Sequence, residues 1–259
     1  MNLNLTNKNA LVCGSTAGIG KATALVLAQE GANVTLAARN EDKLKAVLSE
    51  LSNNGSQKHS YVLADFTNPL QVAQAVAATK NHYHILINNT GGPPGGAIVD
   101  ADVSAFAKAF TQHLQTNHLL VQTVIPGMKE LGYGRIINVI STSVKQPLDG
   151  LGVSNTIRGA VANWSKTLAN ELGSFGITVN NVLPGATATG RLSEIIQNKA
   201  KKTGKTIEEI ETAMQNASPA KRFAQPEEVA NAITFLASER ASYINGINVP
   251  VDGGRTKSL

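Results

Sequence analysis

Three glycines, at positions 14, 18 and 20, stand between a short apolar run and an amphipathic segment in the stretch CGSTAGIGKATALVLAQEG. Glycine lets a chain turn tightly and brings backbone close to a ligand. A helix opening just after such a turn aims free N–H groups, and the positive end of its dipole, at an anion. The chemistry indicated is pyrophosphate binding by Gly14, Ser15, Thr16, Gly18, Ile19 and Gly20. The spacing is G-x-x-x-G-x-G, not the G-x-G-x-x-G of the usual dinucleotide fingerprint, so a bare strand-to-helix turn stays open. The next apolar run ends Ala37-Ala38-Arg39-Asn40. An NAD site puts a carboxylate there for the ribose 2′-OH. None is present, and the forked guanidinium of Arg39 suits the 2′-phosphate of NADP, with Ser15 and Thr16 adding hydroxyls. A solvated surface arginine is the plainer alternative.

Elements that must hold such a site are spaced through the chain. Strand-like apolar runs fall at 10–14, 33–39, 59–66, 84–92, 134–141, 177–185 and 247–254. Near-continuous apolar strands suit a parallel sheet covered on both faces. Amphipathic segments lie between them: Leu44, Val47, Leu48 and Leu51 share one helix face, as do Val229, Ala232, Ile233 and Leu236. Pro226 fits a first helical position, with Glu227 and Glu228 at the positive end. The alternation predicts an α/β, Rossmann-type doubly wound sheet of about seven parallel strands, with helices on both faces. One domain over 1–259 is the economical division, with a substrate flap inserted at about 186–220.

With 259 residues and a net charge of +5, the chain has one cysteine, Cys13, so neither an internal disulfide framework nor a cysteine metal site is available. No apolar run is long enough to span a membrane, and a cytoplasmic location follows as the default expectation. Lys199, Lys201, Lys202 and Lys205 cluster without aromatic residues, which argues against a nucleic-acid partner. They read as a solvated face or as steering for an anionic substrate or carrier. The loop GGPPGGAI at 91–98 is rich in glycine and proline; it reads as a cap on a site or as a plain connector.

The chain resembles the short-chain dehydrogenase/reductase family over essentially its whole length. The resemblance rests on GSTAGIG (14–20), AD (64–65), NNTG (88–91), Ser141 after GRIINVI, LPGATATGR (183–191) and the run KRFAQPEEVANAITFLASERASYINGINVPVDGG (221–254). The last is similar to bacterial 3-oxoacyl-[acyl-carrier-protein] reductases. The resemblance implies that Asp65 and the Phe66 backbone hold the adenine. It places Asn89, Thr90 and Gly91 at the adenosine ribose, and Pro184, Gly185, Thr187 and Thr189 at the nicotinamide end.

Family members reduce a carbonyl by hydride transfer, with a tyrosine giving the proton, a lysine tuning it, a serine on the oxyanion and an asparagine positioning a relay water. Carried over by position, Ser141 keeps the serine. Ser154 stands at the tyrosine position, Arg158 at the lysine position and His113 at the asparagine position, so the Tyr-x-x-x-Lys motif is replaced. A serine hydroxyl is shorter than a phenol and a far weaker acid. Arg158 keeps the charge and can still hold the nicotinamide ribose, as the family lysine does, but it does not release a proton near neutrality. His113 is expected to titrate near pH 7 as a possible relay. Tyr133 belongs to the loop before the fifth strand, at the wrong strand end, and Tyr61, Tyr83 and Tyr243 lie on other segments.

Three readings remain. The first is an NADP(H)-dependent oxidoreductase acting on a small carbonyl or a 3-oxoacyl thioester through a non-standard acid. The others are a cofactor-binding sensor without turnover and an inactive partner subunit. Family habit implies a homodimer or homotetramer joined through the helices bearing His113 and Ser154.

Overall fold

A computed structural model describes residues 2–258. Seven strands run in chain order: β1 (Asn9–Cys13), β2 (Asn33–Ala38), β3 (Ser60–Leu63), β4 (Ile85–Asn88), β5 (Gly134–Val139), β6 (Ile177–Pro184) and β7 (Asn248–Val251). They form one sheet in the order β3-β2-β1-β4-β5-β6-β7, and every pairing is parallel. The strands are mostly shorter than the apolar runs that announce them. β4 stops at Asn88, and the glycines and prolines that follow form a loop. β3 stops at Leu63, three residues before Phe66.

Strand alternation builds two cores. Ala10, Val12, Ile85, Ile87 and Ile137 face α1 (Gly18–Gln29), α2 (Glu41–Glu50) and α9 (Pro226–Leu236). Leu11, Cys13, Leu86 and Ile136 face α3 (Pro69–Ala78), α5 (Thr116–Leu131) and α6 (Gly152–Leu172). Successive side chains on a strand point to opposite faces, so a sheet covered on both sides needs apolar residues at nearly every position. The face read from Leu44, Val47 and Leu51 is buried, as are Val229, Ile233 and Leu236.

A polar line crosses four strands of the sheet, buried at Asn88, Asn138 and Asn181 and half-buried at Asn248. Asn88, Asn138, Asn181 and Asn248 are register partners on β4, β5, β6 and β7. Asn88 Nδ2 donates to Asn138 Oδ1 (2.8 Å), Asn138 Nδ2 to Asn181 Oδ1 (3.1 Å), and Asn181 Nδ2 to Asn248 Oδ1 (2.8 Å). Ser165 on α6 joins it, accepting from Asn138 Nδ2 and donating to Asn181 Oδ1, both at 2.7 Å. A one-residue slip of any of these strands would strand buried amides without partners, so the ladder fixes register and ties α6 to the sheet.

Between β6 and α9 the chain leaves the sheet as two helices, α7 (Gly190–Thr203) and α8 (Ile207–Asn216), within the predicted 186–220 segment. They have a small core of their own from Leu192, Ile196, Ala200 and Ile210. Thr206 and Glu209 close a reciprocal cap at the start of α8. The excursion is pinned at its base: Ala188 N donates to Ala224 O (2.8 Å) and Ala224 N to Ala186 O (2.9 Å). Among the described residues, no helix is long and apolar enough to cross a membrane.

Candidate active site

Gly14 (φ +59°) and Gly18 (φ +53°) take left-handed backbone conformations that suit only glycine without strain. Space is a second constraint. A Cβ on Gly14 would stand 2.5 Å from Asn89 O; one on Gly20 would collide with the Gly14 carbonyl and stand 2.6 Å from Asn89 Nδ2. Asn89 Nδ2 in turn donates to Cys13 O (3.3 Å) and Gly14 O (3.4 Å), closing the turn against the end of β4. α1 begins at Gly18 with Ala17 before it, so it has no side-chain cap, and no acidic residue lies in its first turn. Its leading N–H groups are left for an external acceptor, and the bare turn suits a phosphate.

Ser15 departs from its expected role. It is fully buried, and its Oγ accepts from Ala37 N (3.1 Å) and sits 3.5 Å from Ala37 O. The hydroxyl extends the hydrogen bonding of β2 and is not offered to a ligand. Thr16 is half-buried. Ile19 packs its side chain against the core of the α1 face. Arg39 is exposed at the end of β2 and forms no ion pair among the described residues.

Asp65 Oδ1 accepts from Thr67 N (3.0 Å) and Thr67 Oγ1 (2.8 Å). Those bonds hold its carboxyl below the usual range, with a smaller contribution from the Arg39 charge. Asp65 does not cap α3, whose first N–H groups are served by Asn68. The Phe66 ring is buried and its carbonyl accepts from Thr116 Oγ1 (2.9 Å). Cys13 is buried beside the turn, and burial pushes its thiol up to about 12, so it is inert.

At the far side, Pro184 ends β6. Gly185 N donates to Val251 O (2.9 Å), and a Cβ there would stand 2.7 Å from the Asp252 Cα. Thr187 Oγ1 donates to Gly185 O (3.1 Å). Thr189 caps α7 by accepting from Leu192 N (3.3 Å), and its methyl lies 3.0 Å from where a Gly18 Cβ would be. The flap thus reaches the phosphate turn through Thr189, a contact that motif order did not reveal.

Of the candidate chemical groups, Ser141 and Arg158 lie at the C-terminal end of β5 and His113 meets Thr90 just after β4, while Ser154 is placed only by its position on α6. Ser141 follows β5, is half-buried, and its Oγ accepts from Ser143 N (3.1 Å), which leaves its hydroxyl hydrogen to donate elsewhere. Ser154 is half-buried in the first turn of α6. Arg158, one turn further on, is buried; its Nη1 donates to Val139 O (3.1 Å). Desolvation lowers its guanidinium to about 10, so it stays cationic at neutral pH.

His113 lies in a π turn, Thr111–Gln115, between α4 (Val103–Phe110) and α5. One-turn π insertions recur at functional sites. Its Nδ1 is 2.7 Å from Thr90 Oγ1, while Nε2 has no hydrogen-bond partner among the described residues. Burial, aided by the Arg158 charge, pushes it down to about 2. This corrects the expectation of titration near pH 7: taking on a proton would put a second cation in a desolvated site that already holds one.

The loop after Thr90 is fastened at several points. Gln112 Nε2 donates to Gly91 O (3.3 Å), Arg191 Nη2 on α7 to Pro93 O (2.8 Å), and Gly96 N to Gly150 O (2.8 Å). A Cβ on Gly152 would collide with Ile98. Sequence order placed this loop beside the site but missed Gln112 and Arg191, because their partners are backbone carbonyls far along the chain. Tyr133 is confirmed at the opposite strand end, donating to Ala237 O (2.8 Å). Tyr243 is fully exposed.

Comparison with known proteins identifies the family. Residues 14–256 match the family described as Enoyl-(Acyl carrier protein) reductase. The chain belongs to this family of short-chain dehydrogenase/reductase oxidoreductases. It is 30% identical to the NADPH-dependent reductase BacG of Bacillus subtilis (strain 168), covering 98% of this chain and 100% of that one. It is 32% identical to the D-beta-hydroxybutyrate dehydrogenase of Rhizobium meliloti (strain 1021), covering 96% and 98%. The solved structure of L-sorbose reductase from Gluconobacter frateurii, complexed with NADPH and L-sorbose, superposes with a TM-score of 0.93 at 32% identity, covering all of both chains.

Proposed function

We propose that the protein is an NADP(H)-dependent reductase or dehydrogenase that interconverts a carbonyl and an alcohol without a tyrosine acid. One observation carries the reading: an uncapped helix N-terminus behind glycines with no room for a side chain, with Arg39, in no ion pair among the described residues, at the neighbouring strand end. Relatives described as NADPH-dependent support the choice of cofactor.

The glycine turn and α1 would hold the pyrophosphate, Arg39 the 2′-phosphate, and Asp65 with the Phe66 backbone the adenine. Asn89, Thr90 and Gly91 would line the ribose; Pro184, Gly185, Thr187 and Thr189 would hold the nicotinamide end. Bound NADPH supplies a hydride. Ser141 Oγ accepts from Ser143 N–H through one of its lone pairs, and its hydroxyl hydrogen would donate to a substrate oxygen. Ser154 and Arg158 stand where the family has tyrosine and lysine. Ser154 offers a weak hydrogen-bond donor, and Arg158 a fixed positive charge in a desolvated place. Neutral His113 holds Thr90 in position and does not take up a proton. Loss of the phenol costs about 10²–10⁴ in rate relative to a standard site, while positioning and oxyanion stabilisation remain. The flap over residues 186–220 closes the site from the side of Thr189 and Arg191.

Among substrates, whole-chain resemblance alone favours a 3-oxoacyl thioester, and a small carbonyl compound stays open. The same missing acid favours a second reading, a cofactor-loaded sensor or an inactive subunit paired with an active relative. A homodimer or homotetramer through α5 and α6 is checked by sedimentation. Calorimetric titration with NADPH and NADH tests the cofactor, and NADPH oxidation against oxoacyl thioesters, ketones and quinones tests turnover. Absence of NADPH binding ends the reductase and sensor readings together; tight binding with no turnover on any substrate leaves the sensor.

A further inference from the structure

Among the described residues, Arg158 is a buried cation with no counter-ion. It is 7% exposed, one of its five N–H donors is matched to Val139 O, and no carboxylate among the described residues forms an ion pair with it. Desolvation is what lowers its guanidinium, with no neighbouring anion raising it back. Burying a charge without a partner is costly, and proteins keep such a group where a ligand completes it. Its position suits a ligand. Nη1 reaches the end of β5, two residues before Ser141, and Nη2 comes within 4.0 Å of the Cβ position on Gly92, in the loop after β4. Parallel sheets bind ligands outside these strand ends.

A second buried group points the same way. His113 is 1% exposed, its Nδ1 meets Thr90, and its Nε2 has no partner among the described residues. It lies near enough to Arg158 for that charge to oppose its protonation. Gly91 and Gly92 present no side chain that would fill the neighbouring space: a Cβ on Gly91 meets nothing within 4 Å.

We infer that the substrate carries a carboxylate, and that Arg158 recognises it, making the protein selective for small oxo or hydroxy acids over their neutral counterparts. The inference rests on the reductase reading and narrows its substrate. A single cation matches a monoanion, and a planar fork matches a carboxylate with two parallel N–H···O bonds. A phosphate dianion would leave charge unbalanced against one guanidinium.

The test compares 3-oxobutanoate with its methyl ester, a neutral stand-in for a thioester, in wild type, Arg158→Gln and Arg158→Lys. Two readouts are used: kcat/KM with NADPH, and calorimetric binding of each compound with and without NADPH. In wild type the acid should be preferred roughly tenfold or more, since a charge-assisted hydrogen bond is at stake. Arg158→Gln should remove that preference while NADPH affinity holds, and Arg158→Lys should recover part of it. Equal handling of acid and ester, or acid binding unchanged in Arg158→Gln, overturns the inference. So does a loss in Arg158→Gln confined to NADPH affinity, which would assign the arginine to the nicotinamide ribose. If NADPH never binds but the acid binds through Arg158, the reductase reading fails and the carboxylate site stands.

Discussion

The phosphate turn and the reaction end of this site are built from different materials. At the turn, backbone meets backbone: Gly14, Gly18 and Gly20 pack against Asn89 and Thr189 with no room for a Cβ on the first or the last. At the proposed reaction end, the polar groups of Ser141, Ser154, Arg158 and His113 are side chains borne on a loop, a helix and a π turn, not backbone. A site made of backbone is constrained by sterics and hardly tolerates substitution. A site made of side chains can keep its frame while its chemistry changes, which is why the same fold hosts many reactions.

The sharpest way to break this contrast is to restore a phenol and an amine. Ser154→Tyr combined with Arg158→Lys is expected to raise ketone reduction by roughly 10²–10⁴, read as the steady-state rate of NADPH oxidation. No gain would mean that the reaction end has diverged in shape as well as in its acid. At the other region, Gly14→Ala forces a side chain into a left-handed backbone against Asn89 and should cost about 2–4 kcal/mol of stability. NADPH affinity should fall with it. Denaturant melts and calorimetry check this, and an unperturbed Gly14→Ala protein would refute the steric account of the turn.

Arg39→Ala should lower NADPH affinity about 10–100-fold and leave NADH affinity unchanged, because only the 2′-phosphate is lost to it. Parallel titrations decide; equal losses for both cofactors would place Arg39 elsewhere.

A pH experiment on wild type and a His113 variant probes the reaction end. The folded-state value of His113 lies far below its unfolded one, so the unfolded chain binds the extra proton and stability falls as pH drops. The loss begins near the unfolded value of about 6.5 and continues down toward the folded value of about 2. Each pH unit costs about 1.4 kcal/mol while one proton separates the states. His84, also lowered chiefly by burial, adds to the slope in the same window. Below pH 5 the carboxyls held low by hydrogen bonds, Asp65 and Asp252 among them, lose their own contributions. His113→Asn should flatten the change in melting temperature between pH 6.5 and 5; an unchanged slope would show that His113 is not held neutral.

The smallest effect is expected at the tie between the flap and the glycine loop. Arg191→Ala removes one hydrogen bond to Pro93 O and should raise the KM for the carbonyl substrate roughly 3–10-fold with little change in kcat.

The amino-acid sequence by itself determined the sheet, the covering of both faces, and the glycine turn. Apolar periodicity and left-handed glycines are local signals, set by sterics and solvent within a few residues. The chain also displayed Ser154 and Arg158, but only by counting from a resemblance. Tertiary structure decided what those residues experience. It consumed the Ser15 hydroxyl in the bonding of β2, drove His113 away from titration at neutral pH, and left Arg158 buried with no anion beside it among the described residues. It also joined Asn88, Asn138, Asn181 and Asn248 into one ladder, and brought Arg191 to a loop 98 residues away. Burial, charge proximity and backbone acceptors depend on groups distant in the chain, and a spacing between neighbours does not encode them.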